Sequence, residues 1–139
     1  MKRISGYIFL FLFFVACQKA QLAEYKKFQS VADVPRISAE DAKKEYDAGN
    51  AVIVDSRGDA AFKMEHITNA INLPFGTPKE RFSELPKGKK IIVYCSWPDE
   101  HTSAGLAFQM NQDGIPNTYA LLGGNVAWKN AGYPMEKSE

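Results

Sequence analysis

Two short apolar runs constrain this chain more than anything else in it. Ala51-Val52-Ile53-Val54 ends at Asp55, and Lys90-Ile91-Ile92-Val93-Tyr94 ends at Cys95. Neither run alternates apolar with polar residues, so each reads as a strand buried on both faces. A sheet of such strands needs a covering layer on each side, and the sequence between the runs supplies helices. Ser38 followed by Asp41 reads as a helix N-cap with an acid at the third helical position. Ala39, Ala42 and Tyr46, stopped by Gly49-Asn50, fit an amphipathic helix of about ten residues. Short helices are predicted from Asp59 to Met64 and from Pro78 to Leu85, and a strand over Ala70 to Leu73, stopped by Pro74. Thr102 to Gln112 has helical spacing, with Leu106, Ala107 and Met110 among its apolar residues. Asn117 to Leu121 reads as a strand, Gly123-Gly124 as a turn, and Asn125 to Ala131 as a last helix ended by Gly132. This alternation predicts an α/β domain on an open, mostly parallel sheet with helices on both faces. Such sheets bind ligands outside the C-terminal ends of their strands, where Asp55 and Cys95 both fall.

A chain of 139 residues has room for one domain with a real core. That domain is expected over residues 34–135, with residues 136–139 as a tail. The N-terminus differs from everything after it. Lys2 and Arg3 precede an uncharged run from Ile8 to Ala16. The run is shorter than the roughly 20 apolar residues of a membrane span, and it suits the h-region of a secretory signal. Phe14-Val15-Ala16-Cys17 resembles the lipobox of bacterial lipoproteins, in which a small residue stands directly before a Cys. The resemblance implies removal of residues 1–16 and lipidation of Cys17, giving a periplasm-facing lipoprotein of the cell envelope. Gln18 in place of Asp favours the outer membrane over the inner by the same resemblance. An uncleaved anchor or an ordinary signal cut elsewhere is the alternative, and either also exports the domain. Residues 17–33 are polar and mixed; they read as a membrane-proximal tether with a helix from Leu22 to Phe28.

The net charge of +1 rests on 17 basic against 16 acidic residues, and loss of Lys2 and Arg3 leaves a slight acidic excess. Such a surface gains little from anionic head groups, so membrane attachment would come from the lipid on Cys17. No basic stripe appears, which sets nucleic acid aside as a partner.

The chain has two Cys. With Cys17 given to the lipid, Cys95 is the single cysteine of the folded domain, in a compartment where disulfides form readily. A lone Cys is ordinarily a small apolar core residue, but its neighbours point elsewhere. The segment Cys95-Ser96-Trp97-Pro98-Asp99-Glu100-His101 joins a strand to a helix expected to begin near Thr102. Unpaired N–H groups of the loop and helix start form a nest for an anion. A thiolate there would be stabilised and made nucleophilic at neutral pH. Thr102 and Ser103 are expected to cap the helix and to donate hydrogen bonds to the sulfur. Asp99 and Glu100 oppose this effect and repel small anions.

Four segments resemble the rhodanese domain family and cover nearly the whole domain. Val52-Ile53-Val54-Asp55-Ser56-Arg57 and His66-Ile67-Thr68-Asn69-Ala70-Ile71-Asn72-Leu73-Pro74 are similar to its two N-terminal signatures. Ile91-Ile92-Val93-Tyr94-Cys95 is similar to its active-site strand. Leu122-Gly123-Gly124, Ala127-Trp128 and Ala131-Gly132-Tyr133-Pro134 match its C-terminal pattern. The resemblance implies a compact α/β domain with a central five-stranded sheet, and transfer of a sulfane sulfur through a Cys95 persulfide. By this route no metal or organic cofactor is needed, and the partners are a sulfur donor and acceptor, small molecules or protein thiols. Asp55 and Arg57 are expected to form a strand-end pair that fixes the loop, His66 to be structural, and Trp128 to lie in the core.

The loop departs from the family pattern. It lacks the usual Gly and Arg, carries Pro98, Asp99 and Glu100 instead, and is one residue longer before Thr102. Glu65 stands for the usual Gly before His66, and Ala61 for a usual Glu. Thiosulfate is therefore a doubtful donor, and a neutral or protein-bound persulfide or disulfide fits better. Three functions stay open: a sulfurtransferase or persulfide carrier, a non-catalytic envelope-anchored binding module, and a Cys-based phosphatase or arsenate-reductase-like enzyme. The last rests on His101, six residues after Cys95, where those enzymes hold an Arg. A His there could bind an anion or shuttle a proton, or simply be a solvated residue at a helix start.

Overall fold

A computed structural model describes residues 25–96 and 100–138. In chain order the elements are β1 (Arg36–Ile37), α1 (Ala39–Asp47), β2 (Ala51–Asp55), α2 (Asp59–Met64), β3 (His66–Ile67) and β4 (Ile71–Asn72). A 3-10 helix (Lys79–Glu84) follows, then β5 (Lys90–Tyr94), α3 (His101–Gln112), β6 (Thr118–Leu121), α4 (Gly124–Asn130) and β7 (Met135–Glu136). Five strands form one sheet in the order β1-β6-β5-β2-β4, with every pairing parallel. The other two, β3 and β7, pair antiparallel in a small second sheet.

The apolar strands sit at the centre, as their composition requires. In β5, Ile91 and Val93 join one core cluster and Ile92 and Tyr94 the other, so successive side chains serve opposite faces. On the first face Leu106, Ala107 and Met110 of α3, with Phe82 of the 3-10 helix, cover Val54 and Val93. On the second, Ala42 of α1 and Trp128 of α4 cover Ile53, Ile92 and Leu121. Full burial stabilises each large apolar side chain by about 1.5–3 kcal/mol. The protein is thus an α/β domain with a five-stranded parallel sheet flanked by helices. Helix α1 begins where the sequence places it: the Ser38 hydroxyl accepts the Asp41 N–H at 3.1 Å, a cap worth about 1 kcal/mol.

The strand order fixes where a site can form. From β2 the chain goes outward to β4, then returns to lay β5 on the other side of β2 and β6 beyond it. The order reverses between β2 and β5, and a crevice opens there at the strands' C-terminal ends. Register pairs Asp55 with Tyr94, so Cys95 stands one residue past the edge of the sheet.

Three expectations need correction. Helix α3 begins at His101, and its N-cap Glu100 makes no side-chain capping bond; Thr102 and Ser103 lie inside the first turn and cap nothing. Residues 25–28 are not helical, and residues 25–33 are no loose tether. Phe28 and Val31 pack against the first core cluster, and the side chain of Asn111 holds the backbone of the segment: Oδ1 accepts the Phe28 N–H at 2.8 Å, and Nδ2 donates to Lys26 O at 2.9 Å. The domain also runs past residue 135, because β7 pairs with β3 through Glu136. Cys17 and residues 1–16, like Trp97, Pro98 and Asp99, lie outside the described residues. Among the described residues no helix is long and apolar enough to cross a membrane.

Candidate functional site

Cys95 is held from both neighbouring strands. The Ser56 N–H and hydroxyl, just past β2, both donate to Tyr94 O, at 2.9 and 2.8 Å. On the other side the Asn125 N–H donates to Cys95 O at 3.0 Å. That contact needs glycine at 124. Gly124 has φ +55°, and a Cβ there would stand 2.1 Å from Cys95 O. Only a residue without Cβ lets the turn between β6 and α4 close on the cysteine backbone.

Cys95 is 3 % exposed yet borders an open cleft of about 470 Å³ walled by Ser56, Arg57, Pro74, Phe75, Ser96 and Thr102. Cys95 Sγ is 3.3 Å from Ser103 Oγ and 3.4 Å from Ser96 O. Ser103 is fully buried, and its hydroxyl donates to Glu100 O at 3.0 Å while accepting from the thiol. When the sulfur ionises, the same hydroxyl can turn its hydrogen toward it. The opening N–H groups of α3 lie at the same end of the sheet.

The charges around the cleft are paired within the fold. Asp55 is fully buried. It accepts Arg57 Nη2 at 2.7 Å, Arg57 Nε at 3.0 Å, the Arg57 N–H at 2.9 Å and the Tyr94 hydroxyl at 2.5 Å. Burial works against the Arg57 guanidinium, but Asp55 more than offsets it and holds its pKa above the ordinary range. Burial and the Asp55 carboxylate push the Tyr94 hydroxyl far up, so it stays protonated and donates. Glu100 is oriented by two donors: Arg36 Nε reaches Oε2 at 3.2 Å, and the Gly123 N–H reaches Oε1 at 3.1 Å. The Arg36 pair is partly exposed, so its worth is about 0.2–1 kcal/mol. Its effect is geometric and electrostatic, since it neutralises an acid that the sequence alone sets against the thiolate.

A cysteine at the switch point, a serine hydroxyl on its sulfur and a helix opening behind it narrow the fold to few families. The family model described as Rhodanese-like domain matches residues 38–131. This chain belongs to the rhodanese-like domain family. An uncharacterized Synechocystis protein, slr1261, is 34% identical over 90 residues, covering 63% of this chain and 48% of that protein. The chain thus spans about half that relative's length. Thiosulfate sulfurtransferase GlpE of Coxiella burnetii is 32% identical over 78 residues, covering 56% of this chain and 71% of the relative. Among solved structures, the BH2092 protein of Bacillus halodurans superposes with a TM-score of 0.68 at 26% identity, covering 74% of this chain and 77% of that one.

Within this rhodanese-like domain the residues singled out from sequence fall into two groups. Cys95, Ser96 and Thr102 line the cleft with Arg57, and Thr102 Oγ1 lies 3.4 Å from Ser56 Oγ. Asp55 and Glu100 hold its walls from behind. His101 is exposed at the first position of α3. His66 is 3 % exposed in β3, outside the cleft wall. Its ring stacks on Phe62 with centroids 3.8 Å apart, and Nε2 is 3.0 Å from Glu136 Oε1. Trp128 is 1 % exposed, within the core. Among the described residues no group of three or more His, Cys, Asp or Glu is placed to hold a metal ion.

The sequence reading gave no place to Tyr94, Arg36 or Phe75. Tyr94 carried a signal, as a polar-tipped side chain at the C-terminal end of an apolar strand, next to Cys95. Arg36 carried none, because its partner Glu100 lies 64 residues away. A larger depression of about 730 Å³ lies at the other end of the sheet, among Phe82, Leu85, Ile91 and Ile115. Its walls hold neither cysteine nor histidine, and it lies away from the strand ends where this fold gathers reactive groups.

Proposed function

We propose that this chain is a sulfurtransferase or persulfide carrier that moves a sulfane sulfur through a persulfide on Cys95. The reading rests on one observation above the rest: Cys95 borders the switch-point cleft, and Ser103 Oγ lies 3.3 Å from its Sγ. The Cys95 thiolate attacks the terminal sulfur of a donor, the donor's sulfur–sulfur bond breaks, and the leaving group takes the bonding pair. An acceptor nucleophile then attacks the outer persulfide sulfur and releases Cys95 as thiolate. Ser103 and the opening N–H groups of α3 steady the negative charge in both states. The likeness to a thiosulfate sulfurtransferase supports the class of reaction. Donor and acceptor are a small molecule or a protein thiol.

The binding-module reading has one observation in its favour: Arg57, the cation lining the cleft among the described residues, is committed to Asp55. The phosphatase reading needs a cation aimed at an oxyanion, and that same commitment weighs against it. We extend the proposal to export as a lipoprotein anchored through Cys17, facing the periplasm and held in the outer membrane. Lys2 and Arg3, the uncharged run and Ala16-Cys17 support it.

One measurement tests both parts. The full chain, expressed in a Gram-negative host and extracted from its membranes, is weighed intact before and after thiosulfate or an organic persulfide, beside Cys95→Ser. The expected masses show residues 1–16 gone, a lipid on Cys17, and one added sulfur that cyanide removes and Cys95→Ser lacks. No sulfur adduct from either donor, with Cys95 still titratable by a thiol reagent, would leave the binding module as the better account. An intact N-terminus without lipid would end the anchor proposal.

A further inference from the structure

Phe75 is a large apolar side chain that stays half open to solvent. It is 51% exposed, although the sequence around it turns apolar residues inward. Its N–H donates to Ser56 O at 3.0 Å, which pins it to the end of β2 beside the cysteine. Its ring rests on α3 at a residue without a side chain: a Cβ on Gly105 would come within 2.7 Å of Phe75 Cε2 and 3.4 Å of Cδ2 and Cζ. The ring is thus fixed at its backbone and seated on a glycine, and it forms one wall of the cleft that Cys95 borders. The rest of the lining includes Ser56, Thr102 and Arg57, whose guanidinium Asp55 already holds. The cleft therefore offers an incoming sulfur donor an aromatic surface on one side and no uncommitted cation among the described residues of its walls.

We infer that Phe75 is a specificity-determining residue that selects organic sulfane-sulfur donors, with a hydrocarbon group behind the reacting sulfur, over inorganic thiosulfate. The inference rests on the sulfur-transfer reading of Cys95. A small dianion loses hydration against an apolar wall and gains nothing from it, whereas a hydrocarbon group buries area there and an aromatic one also stacks. The reacting step is the same for both. Cys95 thiolate attacks the outer sulfur of R–SO₂–S⁻, the sulfur–sulfur bond breaks, and the sulfinate R–SO₂⁻ leaves with the electron pair. The outer sulfur stays on Cys95 as a persulfide anion, so charge and atoms balance without an added oxidant.

The test compares donors that share the reacting group and differ behind it: thiosulfate, methanethiosulfonate and benzenethiosulfonate. Loading of Cys95 in the full chain is followed by intact mass, and each rate is divided by that donor's rate with glutathione in the same detergent. The expected normalised order is benzene above methane above thiosulfate. In Phe75→Ala the benzenethiosulfonate-to-thiosulfate ratio falls about three- to tenfold, the worth of an aromatic contact. Gly105→Ala, which keeps the phenyl group but unseats it, lowers the same ratio, and Phe75→Tyr restores it. A general weakening of the fold would slow all donors together and leave the ratio unmoved. A ratio unchanged within twofold in both Phe75→Ala and Gly105→Ala overturns the inference. Failure of every donor to load wild-type protein overturns the sulfur-transfer reading instead.

Discussion

The chemistry at the strand ends depends on how one buried carboxylate is satisfied. Asp55 receives the Arg57 guanidinium by two nitrogens and the Tyr94 hydroxyl by a third donor, and Tyr94 in turn accepts the Ile67 N–H at 3.1 Å. Removing different members should cost different amounts. Asp55→Ala leaves a mostly buried guanidinium without its carboxylate and should cost about 3–5 kcal/mol. Tyr94→Phe leaves that ion pair intact but strands the Ile67 N–H, and should cost about 1–3 kcal/mol. Urea unfolding of both variants measures the order. A costlier Tyr94→Phe would mean that the hydroxyl, not the guanidinium, holds Asp55 in place.

Among the elements, the turn between β6 and α4 sets how closely the second core layer approaches the cysteine. Gly124 and Gly132 both have positive φ, +55° and +77°, but only at Gly124 would a Cβ strike backbone, 2.1 Å from Cys95 O. Left-handed conformation alone costs a residue with a side chain about 1–2 kcal/mol, so Gly132→Ala should lose about that much. Gly124→Ala must also push the turn off Cys95 O, and should lose at least about 1 kcal/mol more than Gly132→Ala. Equal losses in denaturant midpoint would show that the turn yields without strain. The Gly-Gly pair was legible as a turn, but its contact with Cys95 was not, since Gly124 stands 29 positions after Cys95. The same limit runs through the whole fold. Strands β2 and β5 could be read because doubly buried strands are continuously apolar, and Cys95 could be placed at a strand end for that reason. Strands β1, β3 and β7 have two residues each, too few to show any period. They exist because tertiary contacts present a partner edge. The start of α3 could be read to within a residue, but Thr102 and Ser103 only look like caps, because packing commits the Ser103 hydroxyl to the sulfur and to Glu100 O.

For the molecule as a whole, the fold closes further toward its N-terminus than its composition indicates. Polar residues such as Lys26, Lys27 and Gln29 read as a tether because charge keeps chains solvated. Their backbone is nonetheless drawn in by Asn111, 2 % exposed on α3. Its side chain holds Phe28 N–H and Lys26 O, its carbonyl accepts the Tyr25 hydroxyl, and Gln112 Nε2 adds a bond to Phe28 O at 2.8 Å. If Cys17 carries a lipid, the stretch from Cys17 to Tyr25 spans at most about 29 Å at ~3.6 Å per residue. The docked segment would then hold the domain close to the membrane, and its loss would lengthen the leash. Asn111→Ala removes two side-chain bonds, each worth about 0.5–1.5 kcal/mol, a cost of about 1–3 kcal/mol. Because the segment lies at the edge of the fold, that cost should appear first as local opening. Amide exchange at Phe28 should accelerate about ten- to hundredfold, the equivalent of that cost, while the amides of β5 keep their protection. Uniform acceleration across β5 and Phe28 would instead make residues 25–33 part of one cooperative unit with the sheet. No acceleration at Phe28 would mean that the apolar contacts of Phe28 and Val31 hold the segment without Asn111.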